Sequence, residues 1–455
     1  MTNWGEKHGQ ILIELVKTLD SKSIRYFILR NYEGLPNINT SKDVDILVDP
    51  LKAKRANELI STIYKSNGLT HSYCVRYGNV YCWHGMDIEN HLSIHIDLIA
   101  GYNVKGYEIF SFDELCTHTS NYGQFKVLDK LYEGLMVFIY KQFGYKKAKL
   151  KDEYKVIIKN TYEKYPRFSE ILCDLLGSTL SNNILNEIQN NNFSKLLEYS
   201  SELSSALRKY AFRKNPIKVL RQGCCFYWHK FNRLVLSRCK YIKSFSVMAP
   251  DGAGKTTFLD SLIDELCFYF TKEQNYISVY HFRPQLLPNL GEVGEKTGVM
   301  KQDKNFTVPH RAKPAGFFSS LVRITYYWLD YVLGWFKVTT KDIQFDKFTV
   351  FDRYGYDFLV DPHRTRLKLP YWIRKLYVRL MPHPKFTFYL DVEPNEIFRR
   401  KQELTIEEIN RQVGGYKKLV NKSNRFVTLN GNRSVEQIKD DALKIVLDTF
   451  CTKLR

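Results

Sequence analysis

Long uninterrupted apolar runs are missing from this sequence, and so are the cysteine spacings of metal or disulfide scaffolds. Its nine cysteines are scattered apart from the adjacent pair Cys224–Cys225, and no CxxC occurs. That excludes zinc fingers and a disulfide framework and points to reduced thiols in a cytoplasmic protein. With 24 glycines and 14 prolines in 455 residues, the chain is neither collagen-like nor of low complexity. The first twenty residues carry Glu6, Lys7, Glu14 and Lys17, which break the apolar core a signal peptide needs. Ile11, Leu12, Leu15, Val16 and Leu19 recur there at helical spacing instead. The most apolar stretch, Gly316–Phe336, contains Arg323 and Asp330. Two charges inside a span are costly, so a buried helix is expected there rather than a membrane crossing.

Acidic residues are also scarce, 48 against 68 Lys and Arg, for a net charge of +20. An excess of this size favours anionic partners: phosphorylated small molecules, a membrane surface or, less readily, nucleic acid. It is concentrated between Arg208 and Lys243, which hold eleven Lys/Arg and no Asp/Glu. Ile217, Leu220, Cys224, Tyr227, Phe231 and Leu234 sit near helical spacing in that segment. It reads either as a basic helix lying against its own chain or a solvated linker, or as an amphipathic helix on nucleic acid or an anionic membrane surface, the last of which would place the protein peripherally at the inner face of the membrane.

What is present suffices for folded domains, with 44% hydrophobic and 25% charged residues. Three regions separate: 1–127 mixes helical and strand patterns, 128–236 is helix-rich and ends in the basic linker, and 237–455 is α/β. In the first, Tyr26–Leu29, Val44–Val48 and His91–Ile99 read as strands. In the last, Phe245–Ala249, Tyr276–Phe282, Phe348–Phe351, Phe386–Leu390 and Phe426–Leu429 are short apolar runs separated by helical segments. That alternation predicts a doubly wound parallel sheet. Arg283–Gly316, with four prolines and four glycines, has no periodicity and is expected to be a functional loop.

The strongest motif is Phe245-Ser-Val-Met-Ala-Pro-Asp-Gly-Ala-Gly-Lys-Thr-Thr257: a hydrophobic strand, a glycine-rich turn, then a helical pattern. The order is what phosphate binding needs. Asp251, Gly252, Ala253 and Gly254 form a loop whose backbone N–H groups can curl around phosphate oxygens. The helix N-terminus adds partial positive charge. Lys255 can reach the β- and γ-phosphates, Thr256 can place its hydroxyl on Mg²⁺, and Thr257 completes the loop. The pattern G-x-x-x-x-G-K-[ST] is met except at its first position, Ala249.

This motif and its surroundings resemble the thymidylate kinase-like branch of P-loop kinases over about 240–455. Asp251-Gly-Ala-Gly-Lys-Thr-Thr is similar to that family's loop, Arg283 follows the second strand, Asp352-Arg353 the third, and Arg399-Arg400 lie near the family's lid. The resemblance implies ATP and Mg²⁺ as cofactors, with Lys255, Asp352, Arg353, Arg283 and Arg399 catalytic and Thr256 and Asp352 at the metal. Arg400 and Arg411 are further lid candidates, and Asp357, Asp361 and Arg364 could line an acceptor pocket. Phe282-Arg-Pro-Gln285 departs from the Arg-Glu-Pro-Gly of thymidylate kinases proper. In this it looks like variant kinase-like proteins associated with bacterial surface-polysaccharide genes, which implies a nucleotide, sugar or polysaccharide precursor as acceptor.

A second constellation lies near the N-terminus. Asp43 and Asp45 are two apart on a strand and so share a face. Asp97 lies on another candidate strand, and three carboxylates together can hold Mg²⁺ for attack on an α-phosphate. Asp43-Val-Asp45 and Asp97 resemble the nucleotidyltransferase superfamily, whose α+β fold with a helical extension would cover about 1–200. Arg30-Asn31 stand where that superfamily has a Gly-Ser turn. His91 and His95, with Ser93 between them, offer a weaker metal pair.

The expected function is transfer of the γ-phosphoryl group of ATP to a small acceptor. Two alternatives stand beside it: nucleotidyl transfer by Asp43, Asp45 and Asp97 with a regulatory P-loop region, and a lipid- or nucleic-acid-binding module with vestigial nucleotide sites.

Overall fold

The computed structural model describes residues 4–144, 150–271, 274–288, 316–402 and 404–454. The chain forms two compact units, one of Met1–Asn232 with Cys451–Arg455 and one of Arg233–Phe450.

The first unit is built on a mixed sheet. Its strands are β1 (Tyr26–Ile28), β2 (Val44–Val48), β3 (His71–Tyr77), β4 (Val80–Asp87), β5 (Leu92–Ala100), β6 (Thr119–Tyr122) and β7 (Phe125–Leu128). With the C-terminal strand Thr452–Lys453 at one edge, the order continues β3-β4-β5-β2-β1-β7-β6. β2 pairs parallel with β5, and β1 parallel with β7; the other pairings are antiparallel. Side chains alternate across the sheet. Ile46, Ile96 and Leu98 therefore face one core, shared with Leu12, Leu15 and Ile60 of helices Glu6–Ser21 and Ala53–Ser66. Leu47 and Ile99 face a second core, made with Leu135, Phe138, Phe168, Leu172, Ile184 and Leu207 of the helical region. The helices after residue 128 thus share a core with β2 and β5 and belong to the first unit.

The second unit holds β8 (Lys243–Met248), β9 (Ile277–His281), β10 (Phe348–Asp352), β11 (Phe386–Asp391) and β12 (Phe426–Asn430). All are parallel, in the order β12-β11-β8-β10-β9. These are the five strands expected from sequence. The chain leaves β8 toward β9 and β10, then turns to the opposite side for β11 and β12. The carboxyl end of β8 is therefore the switch point at which such sheets open a crevice. Phe245, at the middle of β8, stacks on Phe386 with ring centroids 5.7 Å apart and meets Phe348 and Phe388 edge-on.

Two expectations change. The apolar stretch from Gly316 is the start of a 28-residue helix, Phe317–Gln344, and no helix of the described residues is long and apolar enough to cross a membrane. It is not buried all round: Ile324, Asp330, Tyr331 and Gly334 face inward, while Phe318, Val322, Leu333 and Phe336 are exposed. The basic segment 208–243 is not one surface helix either. Helix Pro216–Phe231 does expose Ile217, Leu220, Tyr227, Trp228 and Phe231. Arg233 and Lys243, however, are buried in the second unit and both pair with Asp346, Lys243 at 3.1 Å. Burial of an unpaired cation is prohibitive, so these two face an aspartate rather than a partner surface.

Phe168 is fully buried between Phe138 and Tyr162 in the helical layer. Phe168→Ala is expected to destabilise the first unit by ~3–5 kcal/mol, read as a lowered urea midpoint for that unit.

Candidate functional site

In the second unit the loop after β8 has the backbone its sequence requires. Gly252 and Gly254 adopt φ of 87° and 83°, values that L side chains resist. A Cβ at Gly252 would also stand 2.9 Å from Lys401 Cβ. Gly254 caps helix Lys255–Tyr269, so the N–H groups of its first turn open at the loop. Thr256 and Thr257 are exposed there, whereas Lys255 is only 9% exposed. Burial, and then the nearby Arg353, push the Lys255 ammonium down to about 8, against the pull of Asp251 and Asp352.

Around this lysine lies a set of ion pairs. Arg353, at φ 74°, donates hydrogen bonds to Asp251 and, at 3.0 Å, to Asp357. Arg364 pairs with the second Asp251 oxygen at 2.7 Å. Burial alone would raise the Asp251 carboxyl; Arg353 and Arg364 outweigh it and hold the group well below the usual carboxylate range. Asp357 is fully buried and also accepts from Tyr416 at 2.9 Å, so it anchors Arg353 rather than standing on a helix surface. Asp352 ends β10 in register with His281 of β9, and the two side chains meet at 3.0 Å. Burial raises the Asp352 carboxyl, but the His281 hydrogen bond and the Lys255 charge bring it below its ordinary value. Its Oδ1 is buried and meets no hydrogen-bond partner among the described residues.

The other sequence-predicted cations are placed less uniformly. Arg283 is buried, bonded to Asp330 at 2.7 Å and to the Leu287 and Pro288 carbonyls. It ties down the first residues of its loop; residues 289–315 of that loop lie outside the described residues. Arg399 is exposed and bidentate on Glu396. Arg400 leans over the loop after β8, its Nη1 3.7 Å from where a Gly254 Cβ would be. Arg411 binds Glu408 and the Val360 carbonyl.

In the first unit, parallel pairing of β2 and β5 places Asp45 opposite Asp97. Carboxylate oxygens of Asp43, Asp45 and Asp97 lie within 4.8 Å of one another. Ser41 donates to Asp43 at 2.9 Å, His95 meets Asp97 at 2.9 Å, and Arg30 pairs with Asp45 at 2.6 Å. Burial pushes the Asp45 carboxyl up to about 6; Arg30 opposes this, while Asp43 and Asp97 add to it. Arg30, at the position of the expected Gly-Ser turn, thus acts as a fixed counter-ion, and its guanidinium lies over the Tyr154 ring at 5.6 Å. His91 sits in the turn before β5 at φ 47°, apart from this cluster.

Sequence reasoning missed three contributors: His281 on Asp352, Tyr416 on Asp357, and Cys82 beside Asp97. Position at a strand's end was the available signal for His281; Tyr416 and Cys82 are set only by tertiary pairing. Comparison with protein-family models and with curated proteins finds no match for this chain.

The depressed Lys255 value has a consequence for stability. An unfolded lysine titrates near 10.5 and this one at about 8. Between those values the unfolded chain binds more protons, so stability rises with pH; below 8 the full penalty is present. Its upper bound is on the order of 3 kcal/mol. Lys255→Met is expected to raise the urea midpoint of the second unit at pH 7, with a smaller gain at pH 10.

Proposed function

We propose that the second unit is an ATP-dependent phosphotransferase of thymidylate kinase-like type, moving the γ-phosphoryl group to a small nucleotide, sugar or polysaccharide precursor. The observation that carries this is Lys255: a buried ammonium at a helix N-terminus, beside two glycines at positive φ and exposed hydroxyls at Thr256 and Thr257. A buried cation of this kind gains its counter-charge from a bound phosphate. The residues also fit Mg²⁺. The orphaned Oδ1 of Asp352 and the exposed Thr256 hydroxyl are hard oxygen donors of the type this ion takes. Bound there, Mg·ATP would supply the transferable phosphoryl group and neutralise its charge.

The chain's own groups would do the rest. Backbone N–H groups of the loop and Lys255 orient the phosphates. Asp352 can accept the proton of an attacking hydroxyl, and its contact with His281 holds it ionised for that role. Arg400 stands over the loop from helix Pro394–Arg400, where a guanidinium can meet charge developing on the transferred group. Arg353 and Arg283 are held by Asp357 and Asp330. We assign them to shaping the acceptor side of the crevice, with Arg364 the more accessible guanidinium.

A second activity is favoured by the convergence of Asp43, Asp45 and Asp97. It is nucleotidyl transfer, with the three carboxylates holding Mg²⁺ and Arg30 competing for Asp45 until the ion binds. Helix Pro216–Phe231, with exposed aromatic residues beside Arg221 and Lys230, is our candidate contact for an anionic membrane surface.

Incubation of the intact protein with Mg²⁺ and either γ-³²P-ATP or α-³²P-ATP, against a panel of nucleoside monophosphates, sugars and polysaccharide fragments, separates these activities. γ-Label on an acceptor, lost by more than a thousandfold in Lys255→Ala, is the expected outcome. Full turnover by Lys255→Ala would reject the kinase assignment. α-Label lost in Asp45→Ala would assign chemistry to the first unit.

A further inference from the structure

The sheet face that carries Asp45 and Asp97 continues past the carboxylates. β4 runs antiparallel to β5 with Cys82 opposite Asp97 and His84 opposite His95. Residues two apart on a strand share a face, so these four side chains form one block. Directly opposed residues hold their Cβ atoms ~4.5–5.5 Å apart, which lets ligand atoms converge. Cys82 Sγ, a His95 ring nitrogen and an Asp97 carboxylate oxygen do so, all within 4.8 Å of one another.

We propose that Cys82, His95 and Asp97 bind a transition-metal dication of the zinc class, at a position distinct from the one framed by Asp43, Asp45 and Asp97. The donor set decides the class of ion. A thiolate and an imidazole are poor ligands for Mg²⁺ but good ones for Zn²⁺ and its neighbours. The three-carboxylate position is all oxygen and suits a hard cation. Asp97 is common to both groups, so it is placed to bridge a soft position on one side and a hard position on the other. Three protein donors leave the fourth tetrahedral position open, as in catalytic rather than structural zinc sites.

The surroundings support a fixed site. All three donors lie on paired strands, so the backbone that carries them is held by the ladder. His84, fully buried, stacks on His95 with centroids 4.1 Å apart and sets its ring plane. His95 Nε2 and Asp97 Oδ1 are 2.9 Å apart. Two ligands on a tetrahedral ion with ~2.0 Å bonds sit ~3.3 Å apart, so binding widens this gap by a few tenths of an ångström. The His–Asp contact joins two of the three groups, and Cys82 Sγ lies within 4.8 Å of both. The thiolate is the ligating form, so binding releases the Cys82 proton to solvent. None of this depends on nucleotidyl transfer by the first unit.

The test uses full-length protein stripped of metal with a chelator and titrated with Co²⁺, whose thiolate charge-transfer band in the near ultraviolet reports sulfur ligation. One equivalent of Co²⁺ should develop that band together with intense tetrahedral d–d absorption, and Zn²⁺ should displace it while millimolar Mg²⁺ does not. Cys82→Ser should abolish the charge-transfer band and weaken Co²⁺ binding at least tenfold. His95→Gln should weaken binding to a similar degree while keeping the band at saturating Co²⁺. Asp43→Asn, which alters only the carboxylate position, should keep both the band and the affinity. No thiolate band at one equivalent, or a band that survives Cys82→Ser and so arises from another of the nine cysteines, would overturn the proposal. Unchanged circular dichroism of each variant separates loss of a ligand from loss of fold.

Discussion

The second unit is organised around one unfavourable placement: a lysine ammonium buried at the carboxyl end of the central strand. Lys255 is 9% exposed, and burial together with Arg353 depresses its proton affinity to about 8. A cation in that position costs stability, and the fold does not fully repay it. The two aspartates that act on it most strongly are committed elsewhere, Asp251 to Arg353 and Arg364 and Asp352 to His281. The loop instead keeps open an arrangement suited to an anion: two glycines at positive φ, a helix N-terminus and exposed threonine hydroxyls. In the proposed phosphotransferase, a bound phosphate would offset that penalty.

The aromatic and ionic packing beneath explains why the lysine stays in place. Phe245 and its neighbours lock β8 between β10 and β11. Arg353 ties the end of β10 to Asp357, and its backbone N–H donates to the Val247 carbonyl on β8. The register of three strands and the position of the charges are therefore one construction. A parallel logic holds in the first unit, where the β2–β5–β4 register sets Asp97 between Asp45 on one side and Cys82 on the other.

The strand–loop–helix after β8 was legible because its elements are local: strand, glycines, lysine and helix lie within thirteen residues. The five strands of the second unit were legible because fully buried strands read as short apolar runs. In the first unit β3 and β4 were not. His71–Tyr77 and Val80–Asp87 carry His, Cys, Arg and Gly in place of an apolar alternation. One face of that hairpin meets Tyr64 and the core, while the other carries the polar row with Cys82 and His84. The polar face that hid the strands from a hydrophobic pattern is the one that gathers the ligand-type side chains. The roles of Arg283 and Arg30 were equally out of reach, since their partners Asp330 and Asp45 lie 47 and 15 positions away in sequence.

Proton uptake on nucleotide binding tests the central claim most directly. ATP with Mg²⁺ would be titrated into the protein by calorimetry at pH 8, in two buffers of different ionisation enthalpy. A lysine near its midpoint that acquires a phosphate counter-charge should take up about half a proton at pH 8. The uptake should fall toward zero near pH 6.5 and vanish in Lys255→Met. Binding with no buffer dependence at pH 8, or no heat of ATP binding at all, would contradict the account.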